Sequence, residues 1–193
     1  MPGLRHRIGA AALGVTAACT VLTAAPAAAD PRGTSGASSG FAAQAHRAGL
    51  GPQEVEALQR KVDGYLAKVP DSRQTGPNTV AFPGGHVTVG VPGEKHPRDL
   101  RDPLRSFADC GTALCGWENS DRTTVYVWEG CWKHDVRHLS GPGVWWNAQR
   151  GQMRAHMYGA QGNRIYTTPN AYSEDLTADW SPVYWLKPCV APR

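Results

Sequence analysis

The chain lacks several features that would place it in common protein classes. Its longest apolar run, Ile8 to Leu22, is shorter than the roughly 20 residues that a membrane-spanning helix needs. It carries no glycine-rich phosphate loop, no nucleophile elbow and no pair of carboxylates that can be singled out as catalytic. The sequence therefore predicts a protein that is not an enzyme, has no catalytic residues and needs no cofactor.

A strong excess of charge of one sign is also missing. The chain has 20 basic and 16 acidic residues, and its net charge is +4. Such an even balance gives no electrostatic argument for a nucleic-acid partner. Strands that alternate with helices are absent too, which argues against a parallel α/β fold.

The N-terminal residues have the pattern of a secretory signal peptide. Arg5 and Arg7 precede the apolar run, and Ala27–Ala29 supply the small residues of a cleavage site. We expect residues 1–29 to be removed and the mature protein to be secreted and extracellular, with no membrane attachment. A lipoprotein anchored through Cys19 is the disfavoured alternative, because the usual leucine three positions upstream is missing.

Cysteine usage agrees with export. Loss of Cys19 leaves Cys110, Cys115, Cys131 and Cys189, and an even number in an exported chain predicts two disulfides. Four cysteines allow three pairings; adjacency favours Cys110–Cys115, which leaves Cys131–Cys189. On the chain-entropy model the short loop contributes about 2 kcal/mol and the long one about 4 kcal/mol.

The region before the first of these cysteines divides into three parts. Residues 30–50 are polar and predict a flexible leader. Residues 51–91 predict a helix, Pro52 to Val69, and then a β-hairpin around Pro83-Gly84-Gly85. Since a lone hairpin is marginally stable, we expect it to pack on the helix or join a larger sheet. Residues 92–109 are rich in proline and basic side chains and predict a linker.

Residues 110–193 predict an all-β sandwich or barrel. All seven tryptophans lie in this part. Short β-branched and aromatic segments alternate with Gly, Pro and Asn turns, which is typical of all-β domains. The predicted strands are Leu114–Trp117, Thr123–Trp128, Val144–Trp146, Arg154–Tyr158, Arg164–Thr168 and Val183–Leu186.

Several motifs of this part resemble a known family. Cys110 and Cys115 are followed by Trp117-Glu118-Asn119-Ser120, and Trp180-Ser-Pro-Val-Tyr184 precedes Cys189. The segment resembles the βγ-crystallin-like domains of secreted actinobacterial proteins of the Streptomyces-type metalloproteinase inhibitor family. The resemblance implies a βγ-crystallin-like Greek-key sandwich with an N-terminal helix and hairpin extension. It also implies a monomeric, non-catalytic inhibitor of an extracellular protease. The second Cys-x4-Cys loop of the inhibitory pattern is missing, so no reactive bond is assigned.

One loop is a candidate partner contact. A rigid inhibitor presents an exposed loop that its scaffold holds in place, because pre-organisation lowers the entropic cost of binding. The loop just after the first disulfide has such a position; its residues are Glu118, Asn119, Ser120, Asp121 and Arg122. The oxygens of Asn119 to Thr124 also form a degenerate version of a crystallin calcium site. The calcium-stabilised structural module is therefore a further alternative.

Two tryptophans suggest a different kind of surface. Adjacent strand residues point to opposite faces, so Trp145 and Trp146 cannot both face one core. Exposed tryptophans stack on sugar rings, which makes a cell-envelope or carbohydrate-binding module, with cell-wall polysaccharide as its partner, the main alternative function. His134 and His138 have the spacing of two helical zinc ligands. Residue 135 is aspartate where the catalytic glutamate of that motif would be, and we predict no metal site.

Overall fold

The computed structural model describes residues 32–102, 110–118 and 122–191. The predicted signal peptide, residues 1–29, lies outside these ranges. Two helices begin the described part: α1 (Arg32–Arg47) and α2 (Pro52–Lys68). Within the described ranges, no helix is long and apolar enough to cross a membrane.

Within the described residues, eleven strands follow the helices. They are β1 (Arg73–Gly76), β2 (Thr79–Phe82), β3 (Gly85–Thr88), β4 (Leu114–Trp117), β5 (Val125–Trp128), β6 (His134–Asp135), β7 (Pro142–Asn147), β8 (Arg154–Tyr158), β9 (Arg164–Thr167), β10 (Ser173–Asp179) and β11 (Trp185–Val190). They form a seven-stranded sheet in the order β1-β2-β3-β5-β4-β7-β10 and a four-stranded sheet in the order β6-β11-β8-β9. All pairs are antiparallel, so the all-β prediction is confirmed.

The predicted helix and hairpin are both present. Helix α2 begins at Pro52, where a missing N–H is tolerated, and ends at Lys68, just before Pro70. Strands β2 and β3 form the hairpin, and β3 pairs with β5 along its whole length. The hairpin therefore joins the larger sheet, which removes the instability that an isolated hairpin would have.

Strands β4 to β11 have a crossed arrangement. Within β4–β7, three strands share the larger sheet in the order β5-β4-β7, and β6 lies in the smaller one. Within β8–β11, three strands share the smaller sheet in the order β11-β8-β9, and β10 lies in the larger one. Each group of four thus contributes its third strand to the other sheet.

The main core lies on one face of the seven-stranded sheet. Its largest fully buried side chains are Trp128, Trp145, Trp180, Tyr126, Leu58, Leu100, Leu114, Leu139 and Leu186. Helix α2 contributes Leu58 and Val62 to this core, and the four-stranded sheet contributes Met157 and Leu186. A second, smaller cluster on the opposite face of the larger sheet includes Cys115, Trp117, Val127 and Val144.

Both predicted disulfides are present: Cys110–Cys115, and Cys131–Cys189 with a Cα–Cα distance of 4.9 Å. The second joins the segment before β6 to β11, the neighbour of β6 in the smaller sheet. The last strand is therefore tied to the middle of the chain.

Some elements differ from the sequence-based expectation. Helix α1 occupies residues for which a flexible leader was predicted. Its composition favours helix poorly, but Ala45 and the following Leu50 are buried in the main core, and tertiary packing can override propensity. Strands β1, β6 and β10 were not predicted. Strand β6 has only two residues, and β10 is exposed, with three acidic side chains that hide its strand pattern.

Candidate functional site

The loop closed by the first disulfide is pinned to the start of β4. The amide of Ala113 donates to the carbonyl of Cys110 at 3.1 Å, and the amide of Ala148 donates to the carbonyl of Ala113 at 3.1 Å. Strand β4 is fully buried between β5 and β7. The disulfide therefore fixes the loop at the N-terminal end of β4, a central strand of the larger sheet.

Glu118, the first residue of the predicted contact loop, is an internal anchor. Its carboxylate accepts hydrogen bonds from the hydroxyls of Tyr65 at 2.9 Å and Tyr126 at 3.2 Å, and it pairs with the ammonium of Lys68. The side chain of Glu118 is only 15 % exposed. Helix α2 and β5 therefore already occupy its carboxylate, and contact of this loop with a partner stays a prediction.

Of the other residues of that loop, the structure describes only Arg122. Asn119, Ser120 and Asp121 lie outside the described residues, so neither the contact prediction nor the calcium prediction is tested there. Arg122 lies with its guanidinium 5.9 Å from the ring centroid of Trp117. It therefore packs back on the scaffold at the far end of the loop.

The Glu118 cluster has consequences for neighbouring titratable groups. Burial and the adjacent carboxylate raise the pKa of Tyr126 well above its usual value. Burial, together with the ammonium of Lys68, lowers the pKa of His138 to about 4. His138 packs against the ring of Tyr126 and is therefore neutral at physiological pH.

Trp145 and Trp146 point to opposite faces, as predicted from strand alternation. Trp145 is 2 % exposed and belongs to the main core, with its ring against that of Tyr166. Trp146 is 38 % exposed, and its neighbours across the strand are Cys115 and Glu174. Only Trp146 of the predicted pair is available at the surface.

His134 and His138 do not resemble zinc ligands. His134 lies on β6, and its Nε2 lies 2.8 Å from the carbonyl oxygen of Gly130, to which it donates. Burial lowers the pKa of His134. Among the residues that the structure describes, no group of three or more His, Cys, Asp or Glu side chains could hold a metal ion.

Both histidines instead line a pocket of about 180 Å³ beside Trp132. Four parts of the chain build this pocket: the residues after helix α2, the turn between β2 and β3, the end of β5, and the segment around β6. Its lining residues are Val69, Pro70, Asp71, Phe82, Pro83, Trp128, Trp132, Lys133, His134, Asp135 and His138. The N-terminal extension therefore supplies about half of the pocket wall.

Trp132 is 54 % exposed, the most exposed of the described tryptophans, and yet its ring is closely held. A Cβ placed on Gly130 would lie 2.5 Å from the ring, and one placed on Gly84 would lie 2.4 Å from it. Only glycine allows this approach at either position. The ring of His134 packs on Trp132 with a centroid distance of 5.3 Å. Trp132 is thus a pre-organised aromatic platform with an open side.

Some of the charged groups around the pocket contact other side chains of the protein, and one does not. Lys133 lies over the rings of Tyr158 and Trp185, and Arg137 pairs with the carboxylate of Asp135. Asp71, which follows helix α2, is exposed and has no recorded partner among the described residues. The Nε2 of His138 is buried and also lacks a hydrogen-bond partner there.

Another cleft, about 630 Å³, lies on the opposite face of the seven-stranded sheet. Its floor includes His86 and Val127, which are cross-strand neighbours, and Cys110, Cys131 and Cys189 line its walls. Asp99 and Arg101 form an ion pair at its rim. This hydrogen-bonded pairing lowers the pKa of Asp99 against the opposing effect of burial.

Burial also lowers the pKa of His86, and the cleft residues Glu129 and Arg150 add one charge of each sign. The ionised side chains of the described lining therefore balance.

Sequence reasoning did not select Trp132 as a site residue. A signal was present, because Trp132 lies between Cys131 and Lys133 outside any alternating strand pattern. Its contacts with Gly84 and Gly130, however, depend on tertiary structure. No protein-family model, curated protein or solved structure matches the chain.

Proposed function

We propose that this is an exported, non-catalytic binding protein that recognises an extracellular or cell-envelope polysaccharide through Trp132. The observation that carries the proposal is the rigid, half-exposed Trp132 ring at the wall of an open pocket. Aromatic rings present large, stiff surfaces that lose little conformational entropy on binding. Two disulfides and the absence of a membrane-spanning helix among the described residues are consistent with an extracellular protein.

The test is retention of the oxidised mature protein on insoluble peptidoglycan, chitin and cellulose. We expect retention on at least one polymer and its loss in Trp132→Ala. Trp146→Ala is the matched control, because Trp146 is also an exposed tryptophan but lies outside the pocket. Gly130→Ala is a second test, since its methyl group would displace the Trp132 ring.

Two results would contradict the proposal. One is the absence of retention on all three polymers. The other is equal retention of Trp132→Ala and the wild-type protein. Circular dichroism of each variant would separate loss of binding from loss of fold.

A proteinase inhibitor is the second candidate, and one observation favours it. Glu118 and Arg122, at the two ends of the predicted contact loop, are both held by the scaffold. Anchored ends are what an inhibitory loop requires. Stoichiometric inhibition of a thermolysin-type metalloprotease by the intact protein would support this function, whereas digestion to fragments would remove it.

We also infer that strands β4 to β11 form the βγ-crystallin-like Greek-key sandwich that the sequence resembles. The support is the crossed arrangement of the two groups of four strands. In each group the first strand lies between the second and the fourth, as in a Greek key. An experimental structure with a different strand order would refute this fold assignment.

A further inference from the structure

We propose that the Trp132 pocket binds a positively charged amino group, carried by an amino-sugar unit of the polysaccharide. This inference rests on the proposed function and adds the chemical class of the ligand. The geometry points to it because the Trp132 ring, a free carboxylate and the end of a helix meet at one pocket of about 180 Å³.

The aromatic wall is the first feature that favours a cation. Trp132 and Phe82 line the pocket, and both pack against the ring of His134. The face of an aromatic ring attracts a cation, and tryptophan does so best. The close contacts with Gly84 and Gly130 hold the Trp132 ring in place before a ligand arrives.

The end of helix α2 is the second feature. Val69, Pro70 and Asp71 follow its last residue, Lys68, and line the pocket. The C-terminus of a helix carries a partial negative charge that stabilises cations nearby. The exposed carboxylate of Asp71 adds a full negative charge at the same place.

The cations already near the pocket are engaged elsewhere. Lys68 pairs with Glu118, and Lys133 lies 4.5 Å from the ring centroid of Tyr158. Arg137 pairs with Asp135 and lies over Trp185. Lys68 and Arg137 are thus paired with carboxylates and Lys133 is held against aromatic rings, whereas Asp71 has no ion-pair partner among the described residues.

The two histidines do not oppose a cation. Burial lowers the pKa of His134, and burial with the charge of Lys68 lowers the pKa of His138 to about 4, so both rings are neutral near pH 7.

The experiment compares two soluble oligosaccharides of equal length, one of glucosamine and one of N-acetylglucosamine. Calorimetric titration is done in mildly acidic buffer, above the pKa of His138 and where the free amine is charged. We expect the amine oligomer to bind about tenfold more tightly than its acetylated form. Asp71→Asn should remove most of this preference and leave binding of the acetylated form unchanged.

Two further variants complete the design. Asp63→Asn is the matched control, since Asp63 is an exposed carboxylate of α2 outside the pocket, and it should keep the preference. Trp132→Ala should weaken binding of both oligomers, because it removes the platform that they share.

The outcomes separate this inference from the proposed function. Equal affinity for both oligomers, lost in Trp132→Ala, would overturn the amino-group inference and leave polysaccharide binding intact. Failure of both oligomers to bind, with no retention on any polymer, would overturn both. Binding of Nα-acetyl-lysine amide, which keeps a free side-chain amine, as tight as that of the glucosamine oligomer would overturn the assignment to an amino sugar.

Discussion

The two segments that follow a disulfide cysteine contrast in their environment. Cys115-Gly-Trp117-Glu118 and Cys131-Trp132-Lys133-His134 each combine a cysteine, a tryptophan and a charged side chain. The first lies on β4, in the interior of the larger sheet, and the second enters β6, at the edge of the smaller one. Trp117 is 9 % exposed, whereas Trp132 is 54 % exposed.

The charged residues of the two segments, Glu118 and Lys133, also differ in their exposure to solvent. Glu118 is enclosed by Tyr65, Lys68 and Tyr126, whereas Lys133 lies exposed over two aromatic rings. A central strand is covered by neighbours on both sides, and an edge strand is not. Similar residues thus serve as an internal anchor in one place and as an open platform in the other.

The largest contrast in stability is expected for the two tryptophans. Trp117→Ala should lower the free energy of unfolding by about 3–5 kcal/mol, because it leaves a cavity in a buried cluster. Trp132→Ala should lower it by about 1 kcal/mol or less, since half of its surface is already in water. Urea denaturation measures both, and a larger loss for Trp132 would contradict the contrast.

The two disulfides should differ next. Cys131→Ser with Cys189→Ser should lower the free energy of unfolding by about 4 kcal/mol, and Cys110→Ser with Cys115→Ser by about 2 kcal/mol. The sequence separations are 58 and 5 residues, and the longer loop restricts the unfolded chain more. Guanidinium denaturation of the two double variants checks the order, and a reversed order would show that loop length does not control their stability.

The two charged residues provide a third comparison. Glu118→Ala should destabilise the protein by about 3 kcal/mol, because two partly buried hydroxyls and an ammonium lose their acceptor. Lys133→Ala should cost about 0.5 kcal/mol, since its contacts with aromatic rings are exposed. Glu118→Gln keeps an acceptor and serves as the control. Thermal unfolding would disprove the anchor role if Glu118→Ala melted with the wild-type protein.

His138 connects the two regions, and its effect on stability should be seen only on acidification. It lines the Trp132 pocket and also faces Lys68, Glu118 and Asp135. Its pKa is about 4 in the folded protein and near 6.5 when unfolded, so only the unfolded chain is protonated between these values. The free energy of unfolding should therefore fall by up to about 3 kcal/mol as the pH drops through this window.

The variant His138→Gln isolates this effect, because glutamine does not titrate and the other histidines are unchanged. Denaturation curves at several pH values should show a shallower loss of stability for the variant. Identical pH profiles for the two proteins would show that His138 titrates normally in the folded state.

Local patterns predicted a large part of the fold. The extent of α2 followed from apolar residues at helical spacing between Pro52 and Pro70, and the strand bounds of β4 and β8 were predicted to the residue. The alternation argument placed Trp145 and Trp146 on opposite faces. Strand β10 was missed because Glu174, Asp175 and Asp179 obscure its pattern at an exposed edge.

The candidate site was less predictable. Glu118 was chosen for its position after a disulfide, but its partners Tyr65 and Lys68 lie on a helix about 50 residues earlier. The pocket at Trp132 requires Gly84 and Asp71, which are also distant along the chain. Neither set of contacts can be predicted from the spacing of residues within one segment.

The amino-acid sequence alone accounts for the all-β character, the paired cysteines and the amphipathic helix α2. These depend on residue types at short, regular separations, which set backbone preference and the side that is buried. The tertiary structure decides which tryptophan is exposed and which charged residue is enclosed. The hairpin β2–β3 belongs to the larger sheet and β6 to the smaller one. Exposure depends on neighbours contributed by distant segments, and only the folded chain brings those segments together.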